Sequence, residues 1–186
     1  MGLYILLGFV ALVVMGVILI FNRLVKLRQY VNSGWSDIDV QLKRRADLIP
    51  RLIETVKGYA AHERQLFTDI VERRNSALAA GHDPAARAGA EAALGRGASR
   101  LIALAENYPD LKASDNFLSL QNELSETEDT IEMARRYYNG SVRNMNTSVQ
   151  SFPVNLLAPV LGFGEREYFE IAASDRSAPS LSGETF

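Results

Sequence analysis

The hydrophobic pattern of this chain begins with an unbroken apolar run. Residues 2–22 carry no charged side chain and consist mainly of Leu, Ile, Val and Phe. As an α-helix, such a run spans about 30 Å, which is the thickness of a bilayer's hydrocarbon core. A cleaved signal peptide is the alternative, but it needs basic residues before the apolar run and small residues at a cleavage site. We therefore predict a transmembrane anchor over residues 1–22.

After the anchor, hydrophobic residues recur at every seventh position, which is the spacing of a helix that packs against other helices. The first series predicts one long helix over residues 23–80. Asn32-Ser33-Gly34 and Pro50 are two places where this helix could break or bend. The pattern keeps its phase across Pro50, which favours one bent helix. The members of the series are Trp35, Leu42, Ile49, Val56 and Ile70.

Turn signals separate two further helices. Gly81 suits the end of one helix, and Asp83-Pro84 suits the start of the next, which we predict over residues 84–108. A third helix is predicted over residues 114–152, ended by Pro153, because apolar residues again recur every seventh position. They are Phe117, Leu124, Ile131, Tyr138, Met145 and Phe152.

The end of the chain changes in composition. A short apolar segment over residues 153–171 is followed by residues 173–186, which are rich in Ser, Pro and Gly and predict a disordered tail. The elements together predict an all-α fold. In it, a single N-terminal transmembrane helix continues into a bundle of long antiparallel helices over residues 23–172.

Basic residues follow the anchor directly. Arg23, Lys26 and Arg28 form a basic collar, while only the α-amino group precedes the apolar run. Since Lys and Arg near a membrane segment are retained in the cytoplasm, we predict an N-terminus outside and a cytoplasmic body. Anchoring and orientation explain the collar, and recognition of lipid headgroups is the alternative.

Composition and motifs give little support to catalysis. The net charge of −2 gives no overall attraction to nucleic acid, and the absence of cysteine removes disulfides and thiolate metal sites. His62-Glu63 lacks a second histidine at position 66, which a zinc-protease helix requires. On the apolar stripe, Glu63 is instead predicted to pair with Arg73 or Arg135. We expect no enzyme, no catalytic, metal-binding or cofactor-binding residues, no nucleic-acid partner and no small-molecule substrate.

The lengths of the predicted helices leave two apolar stretches without a partner in the same chain. If the first helix runs to residue 80, the third helix points away from the membrane. It then leaves the membrane-proximal part of the first helix uncovered, and its own distal part extends beyond the end of the first helix. Exposed apolar stripes mark interfaces, so we predict a homo-oligomer. The residues assigned to self-association are Trp35, Ile38, Leu42, Val142, Met145 and Val149.

Several short motifs occur in a fixed order along the chain. They are Arg45-x-Asp47-Leu48-Ile49-Pro50, Val56-Lys57-Gly58-Tyr59-Ala60, Ala105-Glu106-x-Tyr108-Pro109, Phe117-x-x-Leu120-Gln121 and Phe152-Pro153 with Gly162-Phe163. This ordered set resembles the LemA family. The resemblance implies a single-pass protein of the bacterial inner membrane with a helical bundle, no established catalytic residues, and a suspected link to envelope maintenance and membrane proteases.

Two functions agree with these patterns. The first is a non-enzymatic, membrane-anchored scaffold that self-associates and presents helical surfaces to membrane partners. The alternative is a membrane-shaping, coat-like protein. In that function, the anchor, the basic collar and the apolar segment over residues 152–169 deform the bilayer directly.

Overall fold

A computed structural model describes residues 1–81 and 83–170; the tail predicted over residues 173–186 lies outside this range. The described residues form helices and no strand, so the prediction of an all-α fold is confirmed, with a long apolar N-terminal helix followed by further helices. The helices are α1 (Gly2–Lys57), α2 (Arg64–Ala79), α3 (Pro84–Ala105), α4 (Pro109–Lys112), α5 (Asp115–Gln150) and α6 (Val154–Leu157).

Helix α1 passes through both positions at which a break was considered. Gly34 and Pro50 both lie inside it. The missing N–H of Pro50 removes one backbone hydrogen bond. Packing offsets that loss, because Ile49 and Leu52 beside it are completely buried or nearly so.

The chain breaks instead at residues 58–63, so the prediction of one helix over residues 23–80 is wrong. Gly58 is a poor helix former, and the N–H groups of Tyr59 and Ala60 both donate to the carbonyl of Val56, at 3.0 and 2.9 Å, which closes the turn. The sequence pattern conceals this reversal. Ile70 follows Val56 by fourteen residues, or two whole seven-residue repeats, whether the chain continues or turns back.

The other boundaries lie close to their predicted positions. Gly81 has a φ of +67°, a left-handed conformation that glycine adopts without strain. Asp83 caps α3, since its carboxylate accepts a hydrogen bond from the N–H of Ala86 at 3.0 Å. Helix α3 ends three residues earlier than predicted, at Ala105, and α4 occupies the following turn.

The described residues form two compact units. The first unit contains Met1–Asp39 and Glu132–Tyr168, and the second contains Val40–Ile131 and the segment from Phe169. In the second unit, residues 40–57 of α1, helices α2 and α3, and residues 115–131 of α5 pack as an up-and-down bundle of four helices. Its core includes Ile49, Leu52, Ile70, Leu94, Leu101, Phe117 and Leu124.

In the first unit, the part of α1 from Ile20 onward packs beside residues 132–150 of α5, which run in the opposite direction. The Trp35 ring lies 5.5 Å from the ring of Tyr138. Nearer the apolar end of α1, the Phe21 ring meets the edge of Phe163, 5.8 Å away, in the segment that follows α6. The end of α5 therefore lies next to the end of the apolar run.

Candidate functional site

The apolar run of α1 is a candidate membrane anchor. Among the described residues, α1 is the one helix that is long and apolar enough to cross a bilayer, and none of its most apolar window is buried by the rest of the chain. This fits a surface that faces lipid, because lipid satisfies apolar side chains and the helix satisfies its own backbone.

The basic collar lies on α1 immediately after this run. The Lys26 amine is 5.8 Å from the centre of the Tyr30 ring, and the Arg28 guanidinium is 4.9 Å from the centre of the Phe163 ring. Both distances are within the range of cation–π attraction. Arg28 thus links α1 to the segment that returns along α5. The role of Arg23, Lys26 and Arg28 in orienting the anchor stays a prediction.

Most of the residues assigned to self-association are buried within their own chain. Ile38, Leu42, Val142 and Met145 are buried, whereas Trp35 and Val149 are half-buried. The premise that these residues lack a partner in their own chain is therefore wrong. The unforeseen turn at residues 58–63 adds one reversal, so α5 runs back toward the anchor and not away from it.

Gly34 is a point of close contact between two helices of the first unit. A methyl group at its Cα would lie 3.1 Å from the Cα of Tyr138 and 3.1 Å from Cδ1 of the Tyr137 ring. One of these atoms belongs to the backbone of α5 and cannot move without shifting that helix. The glycine that resembled a hinge in the sequence is needed for helix approach.

We expect Gly34→Leu to destabilise the first unit by about 1–3 kcal/mol, because an overpacked contact forces helices apart. Gly140→Leu is the matched control, since a Cβ atom added at that helical glycine meets nothing within 4 Å. Trp35 fluorescence during urea unfolding of the full chain in mild detergent measures both variants. Equal stability of the two would show that the Gly34 contact is not tight in solution.

The segment after α6 is held against α5 by side-chain hydrogen bonds. Asn146 accepts from the N–H of Arg166 and donates to its carbonyl, both at 2.8 Å. The Tyr138 hydroxyl donates to the carbonyl of Glu167 at 2.8 Å. Burial raises the pKa of this hydroxyl; nearby Arg166 lowers it and Glu167 raises it, with a net upward shift.

This shift predicts an alkaline loss of stability. Above the unfolded value of 10.0, the unfolded chain releases the Tyr138 proton while the folded chain retains it, so the free energy of unfolding falls as the pH rises. Tyr138→Phe should show a smaller fall between pH 9 and 11 than the unmodified chain. Tyr59→Phe, at an exposed position, is the control and should follow the unmodified chain. Parallel pH profiles for all three proteins would contradict the prediction.

A buried ionic cluster lies inside the second unit. Arg45 donates through Nη1 to Glu128 Oε1 at 2.7 Å and through Nη2 to the carbonyl of Glu91 at 2.9 Å, as well as to the Glu91 carboxylate. Arg87 Nε donates to the other Glu91 oxygen at 3.1 Å. Arg45, Arg87 and Glu91 are all buried. Two buried arginines thus share the buried carboxylate of Glu91, and Arg45 also contacts Glu128, whose side chain is 43% exposed.

The chemistry of this cluster favours a structural role. Burial lowers the pKa of Arg45, but the carboxylates of Glu128 and Glu91 outweigh it and the net shift is upward. Arg45 therefore stays charged and does not exchange protons in the physiological range. Its two hydrogen-bonding nitrogens contact Glu91 on α3 and Glu128 on α5, so the cluster connects both helices to α1.

Sequence reasoning placed the buried ion pair on the wrong residues. Glu63 lies in the turn before α2, and Arg73 pairs with Asp69 on its own helix at 2.9 Å. The usable signals were Arg45 on the apolar stripe and Arg87 with Glu91, which lie four residues apart in an alanine-rich helix. Across residues 1–81 and 83–170, no three His, Asp or Glu side chains are grouped so that they could hold a metal ion.

Comparison with known proteins gives one family and several relatives. The LemA family matches residues 34–182. Magnetosome protein MamQ 2 of Paramagnetospirillum magneticum is 26% identical, with 81% of this chain and 64% of the relative covered. Magnetosome protein MamQ of Magnetospirillum gryphiswaldense is 25% identical, with 80% and 64% covered. Protein LemA of Metamycoplasma hominis is 24% identical, with 83% and 71% covered.

The MamQ relatives are longer proteins, and this chain spans 64% of their length. The family match is broader, since residues 34–182 include most of α1 after the basic collar and all the later helices. The motifs quoted from the sequence lie in α1 and the turn after it, at the junction of α3 and α4, in α5, and on both sides of α6, all within the matched residues. The chain belongs to the LemA family.

Proposed function

We propose that this protein is a non-enzymatic, membrane-anchored helical scaffold that associates with copies of itself and with membrane proteins. One observation carries the proposal: the exposed apolar run of α1 continues into the first packed unit as one uninterrupted helix. Because this helix has no flexible joint, the position of the anchor in the bilayer determines the position of the first unit. The helical surfaces are thus held at a fixed distance from the bilayer.

Self-association is carried in this proposal by the surface around Trp35 and Val149, which remain half-buried. Light scattering of the full chain in mild detergent measures its mass. We expect an oligomer at micromolar concentration that Val149→Glu weakens. Val71→Glu, at an exposed position of α2, is the matched control and should leave the mass unchanged. A monomeric unmodified chain, or equal effects of both substitutions, would reject this part of the proposal.

A membrane-shaping function is the second candidate, and exposed apolar residues after α5 favour it. Phe152, Leu156 and Val160 are 79%, 65% and 85% exposed. Apolar wedges beside an anchor enter the outer part of a leaflet and expand it. Electron microscopy of liposomes that contain the purified chain tests this function. Tubules or small buds that disappear in Phe152→Ser with Val160→Ser support it, and unchanged round vesicles reject it.

The orientation of the chain is also part of the proposal, with the body in the cytoplasm. The chain has no cysteine, so a single cysteine at Ser180 gives an unambiguous probe. We expect this cysteine to resist a membrane-impermeant thiol reagent in intact cells and to react after the cells are opened. The reason is that Lys and Arg next to a membrane helix keep the chain that follows them in the cytoplasm. Labelling in intact cells would establish the reverse orientation.

A further inference from the structure

Residues 151–163, which follow α5, lie beside the end of the apolar run of α1. We call residues 151–163 the tip segment. Its Phe163 packs on Phe21, the next-to-last residue of that run. Val154 and Ala158 of the tip segment are buried, which fixes it in place, while Phe152 is among its exposed apolar residues. An anchor in a bilayer therefore places the tip segment at the interface between headgroups and acyl chains.

A cleft of about 620 Å³ opens between α1, α5 and this tip segment. Its lining combines two kinds of surface. Ile20 and Phe152 are apolar, whereas Arg23 on α1 and Arg143 on α5 contribute charge. Both arginines are exposed, and neither has an ion-pair partner in residues 1–81 and 83–170. Among the residues that the structure describes, no acidic one lines the cleft.

Hydroxyl groups complete the polar side of the cleft. Thr147 and Ser151 lie one helical turn apart at the end of α5 and line the same wall as Arg143. Ser151 Oγ donates its proton to the carbonyl of Thr147 at 2.6 Å, so the hydroxyl of Thr147 is the one of the two that can donate to a ligand in the cleft. Guanidinium groups beside hydroxyl donors match the oxygens of a phosphate diester.

We propose that this cleft binds the headgroup phosphate of an anionic phospholipid from the surrounding leaflet, between Arg23 and Arg143. The inference rests on the membrane anchoring in the proposed function and adds the class of lipid. Two positive charges without acidic neighbours favour a headgroup with net negative charge over a zwitterionic one, whose own cation would be repelled. Ile20 and Phe152 provide the apolar contact that a free phosphate ion cannot use, so the ligand is a lipid.

Native mass spectrometry of the full chain in mild detergent tests the proposal, with phosphatidylglycerol and phosphatidylcholine of identical acyl chains as probes. We expect the unmodified chain to retain phosphatidylglycerol at least about tenfold more strongly. Each basic residue near an anionic lipid contributes about fivefold in affinity, so Arg23→Gln with Arg143→Gln should remove most of this preference. Arg23→Lys with Arg143→Lys should retain part of it, because the charge remains and the bidentate geometry is lost.

Lys26→Gln is the matched control, since it removes one collar charge that does not line the cleft. It should keep the preference for phosphatidylglycerol. Equal losses in Lys26→Gln and Arg23→Gln would mean general attraction to the collar and would overturn the cleft. An unchanged preference in the Arg23 and Arg143 double variant would do the same. Competition by soluble glycerol phosphate as strong as that by the lipid would overturn the assignment to a lipid.

Resistance of every variant to carbonate extraction from membranes separates this inference from the proposed function. Variants that remain in the membrane but lose the lipid preference support the cleft. If the unmodified chain itself is extracted, the anchoring fails, and the proposed function fails with it. If the unmodified chain stays in the membrane without a lipid preference, the cleft alone is rejected.

Discussion

Replacing Glu91 by Gln should lower the free energy of unfolding by about 3–5 kcal/mol, because it removes the negative charge that two buried arginines share. Arg45 donates to the Glu91 carboxylate from one side and Arg87 from the other, the latter at 3.1 Å. In the variant, both guanidinium groups stay in the core of the second unit, and Arg45 keeps its contact with the carboxylate of Glu128. Urea unfolding of the full chain in mild detergent, followed by circular dichroism, measures the loss.

The matched control is Glu132→Gln, which makes the same chemical change in an exposed pair. Glu132 lies 3.7 Å from Arg136 on the surface of α5, and both side chains are more than half exposed. Such pairs contribute about 0–1 kcal/mol. Similar losses in Glu91→Gln and Glu132→Gln would show that the cluster does not stabilise the second unit.

A triple replacement tests whether charge itself is needed in the cluster. We expect Arg45→Met, Arg87→Met and Glu91→Leu together to recover much of the stability, since apolar side chains of similar volume need no buried partner. If the triple variant is as unstable as Glu91→Gln, specific hydrogen bonds are required, and the register of α1, α3 and α5 depends on them.

Replacing Leu124 by Ala should cost about 2–5 kcal/mol, and Ile131 by Ala should cost an amount in the lower part of that range. Both residues are buried on α5, but only Leu124 belongs to the main core of the second unit. Loss of a side chain from that core leaves a cavity that the surrounding helices fill only in part. The thermal midpoint of the full chain in mild detergent should fall by about 2–4 °C for each kcal/mol.

Leu118→Ala is the control on the same helix. Leu118 is 42% exposed, six residues before Leu124, so its replacement removes little buried surface. We expect a change within about 0.5 kcal/mol. If Leu124→Ala and Leu118→Ala shift the midpoint equally, the seven-residue pattern of α5 does not face the core in solution.

Much of the candidate lipid cleft was not accessible to sequence reasoning. Arg23 could be identified from the sequence because it directly follows the apolar run, and this signal depends only on neighbouring residues. Arg143 carries no such signal, since it is one of several charged residues on the polar side of a long helix. Only the packing of α5 beside α1 brings Arg143 to the same cleft as Arg23.

The sequence by itself determined those features of the structure that depend only on residues near one another in the chain. The apolar run of α1, the left-handed Gly81, the Asp83 cap and the repeat along α5 follow from side chains within a few residues of one another. The family also followed from the order of local motifs.

The tertiary structure alone decided the direction of the helices and the partners of their side chains. A seven-residue repeat gives the position of a side chain around the axis of its own helix, not the helix that lies opposite. The reversal at residues 58–63 left that repeat in phase, yet it turned α5 back beside the anchor. It thereby buried, within the same chain, residues that were expected to pack against another copy. Gly34 likewise became a helix contact, and Arg45 paired with Glu91 and Glu128, because residues far apart in the sequence supply these neighbours.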